Sequence, residues 1–214
     1  MIAACRTDAG VHAQGQVVSL RTGSRLPPQA FLKGLNYYLP DDIAVIKAGL
    51  VDEKFDVRKE AIKREYTYSI LNRQSRSPLI ADVSFLVKNE LDVVEMNRVC
   101  KLLIGEHNFA SFVTLWTRKG GSTVRRVYEA EVVKKGELVI FRIVANSFLT
   151  HQVRNIVGTL LRVGAGKIDI GEFKNIFEAK ILSLAGPSVP ARGLCLTRVV
   201  YPEDSEFKYE NLCA

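Results

Sequence analysis

One hairpin narrows what this chain can fold into more than any other feature. Residues 126–135 and 137–145 read as two strands joined by a tight turn at Lys135-Gly136. A link that short joins antiparallel neighbours, because a parallel pair needs a crossover of about a dozen residues or more. Residues 64–71 add a half-buried strand. Tyr66, Tyr68 and Ile70 fall on one face, and Glu65, Thr67 and Ser69 on the other. Further strands are expected at 13–21, 43–51, 82–87 and 193–201.

Helices are marked by different signals. Pro27-Pro28 opens one that runs to about Leu39, where Pro40-Asp41-Asp42 stops it. A second starts at Leu91-Asp92, carries Met96, Val99, Cys100 and Leu103 on one face, and is capped by Gly105. Val153, Ile156, Val157, Leu160 and Leu161 define a strongly apolar third helix ending near Gly164-Ala165-Gly166. A short fourth is expected at about 171–179. Strands and helices do not alternate strictly, so the fold class is α+β: a mainly antiparallel sheet with helices on one face. The order strand–helix–strand–strand occurs twice. It predicts two similar half-domains, 1–85 and 86–202, followed by an acidic tail at 203–214.

Composition limits the function classes. The 214 residues are 47% hydrophobic and 25% charged, which excludes a disordered tail, a collagen-like repeat and a coiled-coil rod. No apolar run approaches the ~20 residues of a membrane span, and no secretory leader is evident. Cys5, Cys100, Cys195 and Cys213 form no C-x-x-C, as expected of free thiols in a reducing, cytoplasmic compartment. With three histidines in the chain, no metal site is expected. The net charge is +7. Outside residues 203–214 there are 29 bases against 19 acids, a net +10, which suits a polyanionic partner.

Familiar catalytic motifs fail. Gly164-Ala165-Gly166-Lys167 has Leu161 where a phosphate loop needs glycine and Ile168 where it needs Ser or Thr, so it reads as a helix C-cap. Three other segments stand out. Arg6-Thr7-Asp8-Ala9-Gly10-Val11-His12-Ala13 has turn chemistry, with Gly10 suited to positive φ. In isolation it reads as a capped turn, Asp8 bonding nearby amides and pairing with Arg6. Lys63-Arg64-Glu65-Tyr66-Thr67-Tyr68 is basic and aromatic, and residues 145–158 place polar groups at the start of the apolar helix.

Together, RTDAGVHA, GLNYYLPDDIAV, KREYTY, ANSFLTHQVRNIVGTLLRVGAGK and GLCLTRVVYP resemble, in order over residues 3–202, the tRNA pseudouridine synthases of the TruA family. The resemblance implies an isomerase that turns uridine into pseudouridine in the tRNA anticodon stem-loop, at positions 38–40, without a cofactor and as a homodimer. It makes Asp8 the essential carboxylate, with Arg154 as its charge partner. Tyr66 is implied to stack on the target base, Arg6 to contact RNA or hold the loop, and Leu194 to line the pocket. Phosphate contacts are expected from Arg58, Arg118, Lys119, Arg125 and Arg126, with Arg73 and Arg76 as further candidates. Family members carry a strand and helix ahead of RTDAG, and this chain is expected to lack them. That keeps a competing expectation open, a non-catalytic tRNA-binding remnant of the same fold. A generic basic RNA-binding module, which would give Asp8 no special role, is the other competitor.

Overall fold

A computed structural model describes residues 1–114 and 121–202. In chain order its elements are β1 (Ile2–Ala3), β2 (His12–Ala13), β3 (Val18–Ser19), α1 (Pro28–Tyr38), β4 (Lys63–Asn72), β5 (Phe85–Val87), α2 (Val93–Leu103), β6 (Gly105–Asn108), β7 (Val124–Lys135), β8 (Leu138–Ala145), α3 (Gln152–Gly164), α4 (Ile170–Ala179) and β9 (Leu194–Val200). The fold is α+β with a mixed, mainly antiparallel sheet.

The alternating run becomes the sheet's central strand. β4 lies antiparallel to β8 on one side, with Tyr68 opposite Phe141, and antiparallel to β9 on the other, with Tyr68 opposite Leu194. The sheet runs β2-β9-β4-β8-β7-β6, and β5 pairs in parallel with the far end of β4, at residues 70–72. β2 also pairs in parallel, His12 against Cys195 and Ala13 against Leu196.

Strand alternation sorts the side chains. Tyr66, Tyr68, Ile70, Phe141, Ile143, Leu194 and Leu196 share the buried face. There they join a core with Met96, Leu103, Ile156, Leu160 and Phe173 from α2, α3 and α4. Burying each such side chain is worth about 1.5–3 kcal/mol. The opposite face is polar: Arg142 reaches Glu65 (2.9 Å), Glu129 (2.6 Å) and Glu131 (3.3 Å).

Local chemistry sets the helix ends. Asp92 accepts from the amides of Val94 and Glu95 to start α2, and Asp169 with Glu172 forms a capping box at α4. α2 buries Met96, Val99, Cys100 and Leu103, the four residues of its expected apolar face. Gly164 lets α3 pass close to α2, since a Cβ there would meet the Met96 sulfur at 2.6 Å.

Two expected strands differ. The stretch 13–21 supplies only Ala13 of β2 and the two residues of β3, and β3 pairs with β1 in a separate two-stranded ribbon. The stretch 43–51 is not a strand, with only a single bridge residue at Leu50. An apolar run there has no ladder to join, and Ile43, Ile46 and Leu50 are exposed. α1 begins with proline in its first turn, as expected, yet buries none of its residues.

Candidate active site

A cavity of about 490 Å³ opens between the 4–8 turn, the start of β4 and the segment entering α3. Asp8, Tyr66, Arg154, Arg6, Leu194 and Arg58 all line it. These six come from regions far apart in sequence, and the fold brings them to one place.

Backbone bonds seat the turn that carries Asp8. The Val11 amide donates to the Asp8 carbonyl at 3.1 Å, and Gly10 takes φ 78°, a value that a residue with a Cβ adopts at a cost. The segment is then tied to β9: the Gln14 and Gly15 amides both donate to the Leu196 carbonyl, at 2.9 and 3.2 Å. Gln16 clamps Cys5, accepting from its amide at 3.2 Å and donating to its carbonyl at 2.9 Å.

The Asp8 carboxylate does not cap its own turn, and its ion pairs among the described residues do not include Arg6. It reaches across the cavity, where Arg154 Nη1 donates to Oδ2 at 3.0 Å. Arg154 stands in the first turn of α3, and its Nε donates to the Val189 carbonyl at 2.8 Å. One end of the guanidinium is thus fixed to backbone and the other to the carboxylate. Among the cavity's lining residues Asp8 is outnumbered by Arg6, Arg58, Arg64 and Arg154, so the site as a whole is electropositive.

Tyr66 forms one wall. Its ring meets Phe148 edge to face, with centroids 5.1 Å apart. Burial pushes its hydroxyl's pKa up, and Cys5 beside it adds to the shift. Burial likewise raises the Cys5 thiol's pKa, against the opposing pull of Arg64. Arg64 is itself buried and structural. It donates through Nη1 to the carbonyls of Ala61 (2.7 Å) and Asn146 (2.6 Å), and through Nη2 to that of Arg58 (2.7 Å). Sequence reasoning passed over Cys5, Phe148, Arg64 and His151 as site residues. All four lie within or beside the quoted segments, and only their burial and direction single them out.

The basic residues divide. Arg6, Arg58 and Arg126 are exposed, although Arg58 also donates to the Ala3 carbonyl at 3.3 Å. Arg125 folds back on its own strand, Nη1 donating to the carbonyls of Ser122 and Val124 at 2.7 and 2.6 Å. Desolvation lowers its pKa. Arg73 is engaged by Glu137 at 2.8 Å and by the carbonyls of Ser75 and Arg76. Arg118 and Lys119 lie outside the described residues.

A carboxylate held by a fixed guanidinium, beside an aromatic wall and an electropositive rim, suits attack or proton abstraction on an anionic, ring-bearing substrate. A family profile described as tRNA pseudouridine synthase matches residues 99–202. The chain is 38% identical over 200 residues to tRNA pseudouridine synthase A of Francisella tularensis subsp. novicida (strain U112), covering 94% of this chain and 77% of the relative. It is 41% identical to tRNA pseudouridine synthase A of Roseiflexus castenholzii (strain DSM 13941 / HLO8), covering 100% of this chain and 80% of the relative.

Proposed function

The chain belongs to the tRNA pseudouridine synthase family, and from that premise we propose that it isomerises uridine to pseudouridine at positions 38–40 of the tRNA anticodon stem-loop, with Asp8 as the reacting carboxylate. The observation that carries the reading is the 3.0 Å bond between Asp8 and Arg154 inside a cavity walled by Tyr66.

The reaction breaks the bond between uracil N1 and ribose C1′, turns the base, and forms a bond from C5 to C1′. The proton on C5 is released, and N1 gains one. No electrons are gained or lost, so the chemistry needs no redox cofactor. Asp8 attacks the nucleotide or takes a proton from it; either role requires the negative charge. Arg154 supplies the counter-charge and the orientation. Tyr66 gives the target base a surface to lie against, which offsets part of the few kcal/mol that unstacking costs. Arg6 holds the loop or RNA, Leu194 closes the pocket, and Arg58 with Arg126 neutralises phosphates.

In this reading residues 1–85 form a catalytic-loop half and residues 86–202 a second half, with the cleft between them. The enzyme works in the cytoplasm as a homodimer. An intact carboxylate–guanidinium pair favours an enzyme over a non-catalytic tRNA-binding remnant, which has no use for it.

The test is Asp8→Asn, which keeps shape and removes charge. Tritium release from C5-labelled uridine in tRNA is expected to vanish, while tRNA affinity stays within about tenfold, or ~1.4 kcal/mol. Appreciable turnover by the Asn variant would remove Asp8 from the chemistry.

A further inference from the structure

His151 stands immediately before α3 at φ 61° and ψ 0°, in the left-handed region that residues with a Cβ seldom occupy. The position has no capping use, because the side chain bonds no amide of the helix. Its imidazole instead lies against the carboxylate, in contact without a hydrogen bond: Nε2 is 3.3 Å from Asp8 Oδ2, the oxygen that accepts from Arg154 Nη1 at 3.0 Å. Oδ1 carries no hydrogen bond among the described residues.

The backbone around His151 is fixed on both sides. Leu149 donates its amide to Gln152 Oε1 at 2.8 Å, and the Gln152 amide returns to the Leu149 carbonyl at 3.1 Å. The His151 carbonyl accepts from the Asn155 amide at 2.9 Å. Gln152 is fully buried. Backbone strain of this kind persists only where its surroundings over-determine it, and it gathers at functional sites. Here the left-handed step precedes the helix that carries Arg154, and both side chains reach the same oxygen of Asp8.

We propose that His151 is a positioning residue for the reaction: with Arg154 it pins Oδ2 of Asp8 and so makes Oδ1 the oxygen that meets the nucleotide. This rests on Asp8 being the reacting carboxylate. A carboxylate held by one donor can twist about its terminal torsion, so that its free oxygen wanders. A second group against the bound oxygen narrows that twist and keeps the free oxygen in one direction. The charged and titratable groups facing this point are Arg154 from α3, Arg6 from the turn, and Arg58, Arg64, Tyr66 and Cys5 from the remaining walls.

The experiment compares His151→Gly, His151→Gln and Asp8→Asn with wild type in steady-state pseudouridine formation on one tRNA transcript. Glycine enters the left-handed region freely, so His151→Gly keeps the backbone path and removes the imidazole alone. Its kcat is expected to fall about tenfold to a hundredfold, the effect of a misdirected reacting group, with KM for tRNA within about twofold of wild type. His151→Gln, which carries an N–H at similar reach, is expected to recover part of that loss. A His151→Gly enzyme with wild-type kcat, beside an inactive Asp8→Asn enzyme, overturns this proposal and leaves the Asp8 reading standing. A loss confined to KM also overturns it, assigning the imidazole to tRNA binding. An active Asp8→Asn enzyme removes the Asp8 reading itself.

Discussion

Of the first sixty residues only Ala4 and Val57 are buried, whereas the ten residues of β4 bury five. The helices repeat the contrast: α1 buries none of its 11 residues, and α3 buries nine of its 13. The proposed catalytic carboxylate lies in the first of these regions and its arginine partner in the second. The first region is held by particular tethers rather than by a core of its own. Asn36 clasps Val45 through both amide atoms, His12 Nε2 meets the Asp82 carbonyl at 2.7 Å, and the 14–15 amides share the Leu196 carbonyl. A site can therefore be sharply defined on a segment with little hydrophobic stabilisation, provided the bonds that define it run to the part that has a core.

The contrast can be broken most directly through stability. Phe141→Ala, at a fully buried position on β8, is expected to cost about 3–5 kcal/mol, lost burial and residual cavity together. Ile46→Ala, at a position 75% exposed, is expected to cost about 0.5 kcal/mol or less. Urea midpoints of the two variants measure the difference. An Ile46→Ala cost that matches Phe141→Ala would mean that the first sixty residues are covered in solution.

The next effect crosses between the regions. Arg154→Ala removes the counter-charge and the bond to Asp8, and kcat on tRNA is expected to fall by about a hundredfold or more. Arg154→Lys keeps the charge but cannot bond Val189 and Asp8 through one planar group, so its loss should be intermediate. If both variants turn over at the wild-type rate, the bridge between the regions has no part in the chemistry.

The smallest effect concerns the two neighbouring arginines of β7. Arg126→Gln should flatten the log–log salt dependence of tRNA binding by about 0.7–0.9, one phosphate contact. Arg125→Gln should leave the slope unchanged, since its guanidinium is turned back through Nη1 onto the carbonyls of Ser122 and Val124. Equal changes from the two would show that Arg125 unfolds from its strand to meet RNA.

The same contrast governs how far the sequence could be read. In the cored region hydrophobic period reports burial, so the alternation of Tyr66, Tyr68 and Ile70 and the helical spacing of Met96, Val99, Cys100 and Leu103 located β4 and α2. In the first sixty residues the stretches 13–21 and 43–51 also read as strands. Yet a strand also needs a neighbour, and alternation says nothing of whether one exists. Within the site, the meeting of Asp8 with Arg154 was legible because the motifs resemble those of a known family, not because spacing required it. The left-handed backbone of His151 was not legible. Histidine enters that region more often than most residues with a Cβ, but still seldom, and the bonds of Leu149, Gln152 and Asn155 impose it only once the chain has folded. The path of the Arg125 side chain was hidden for a related reason: a run of bases reads as a surface, and whether a guanidinium turns back onto nearby carbonyls is decided by local geometry.

The parallel pairing of His12 with Cys195 bears on the order in which the molecule comes into being. A chain leaving the ribosome makes the 6–13 turn long before β9, and the turn's ladder partner is missing while everything between them is synthesised. The β7–β8 hairpin and the helices around it close over short distances in the chain and can form as they emerge, while closing residue 12 onto residue 195 must overcome the entropy of a very long loop. The carboxylate turn is then the last part of the site to settle. A nascent chain has no assembled cavity until β9 is in place, so the ability to modify RNA waits on that one closure.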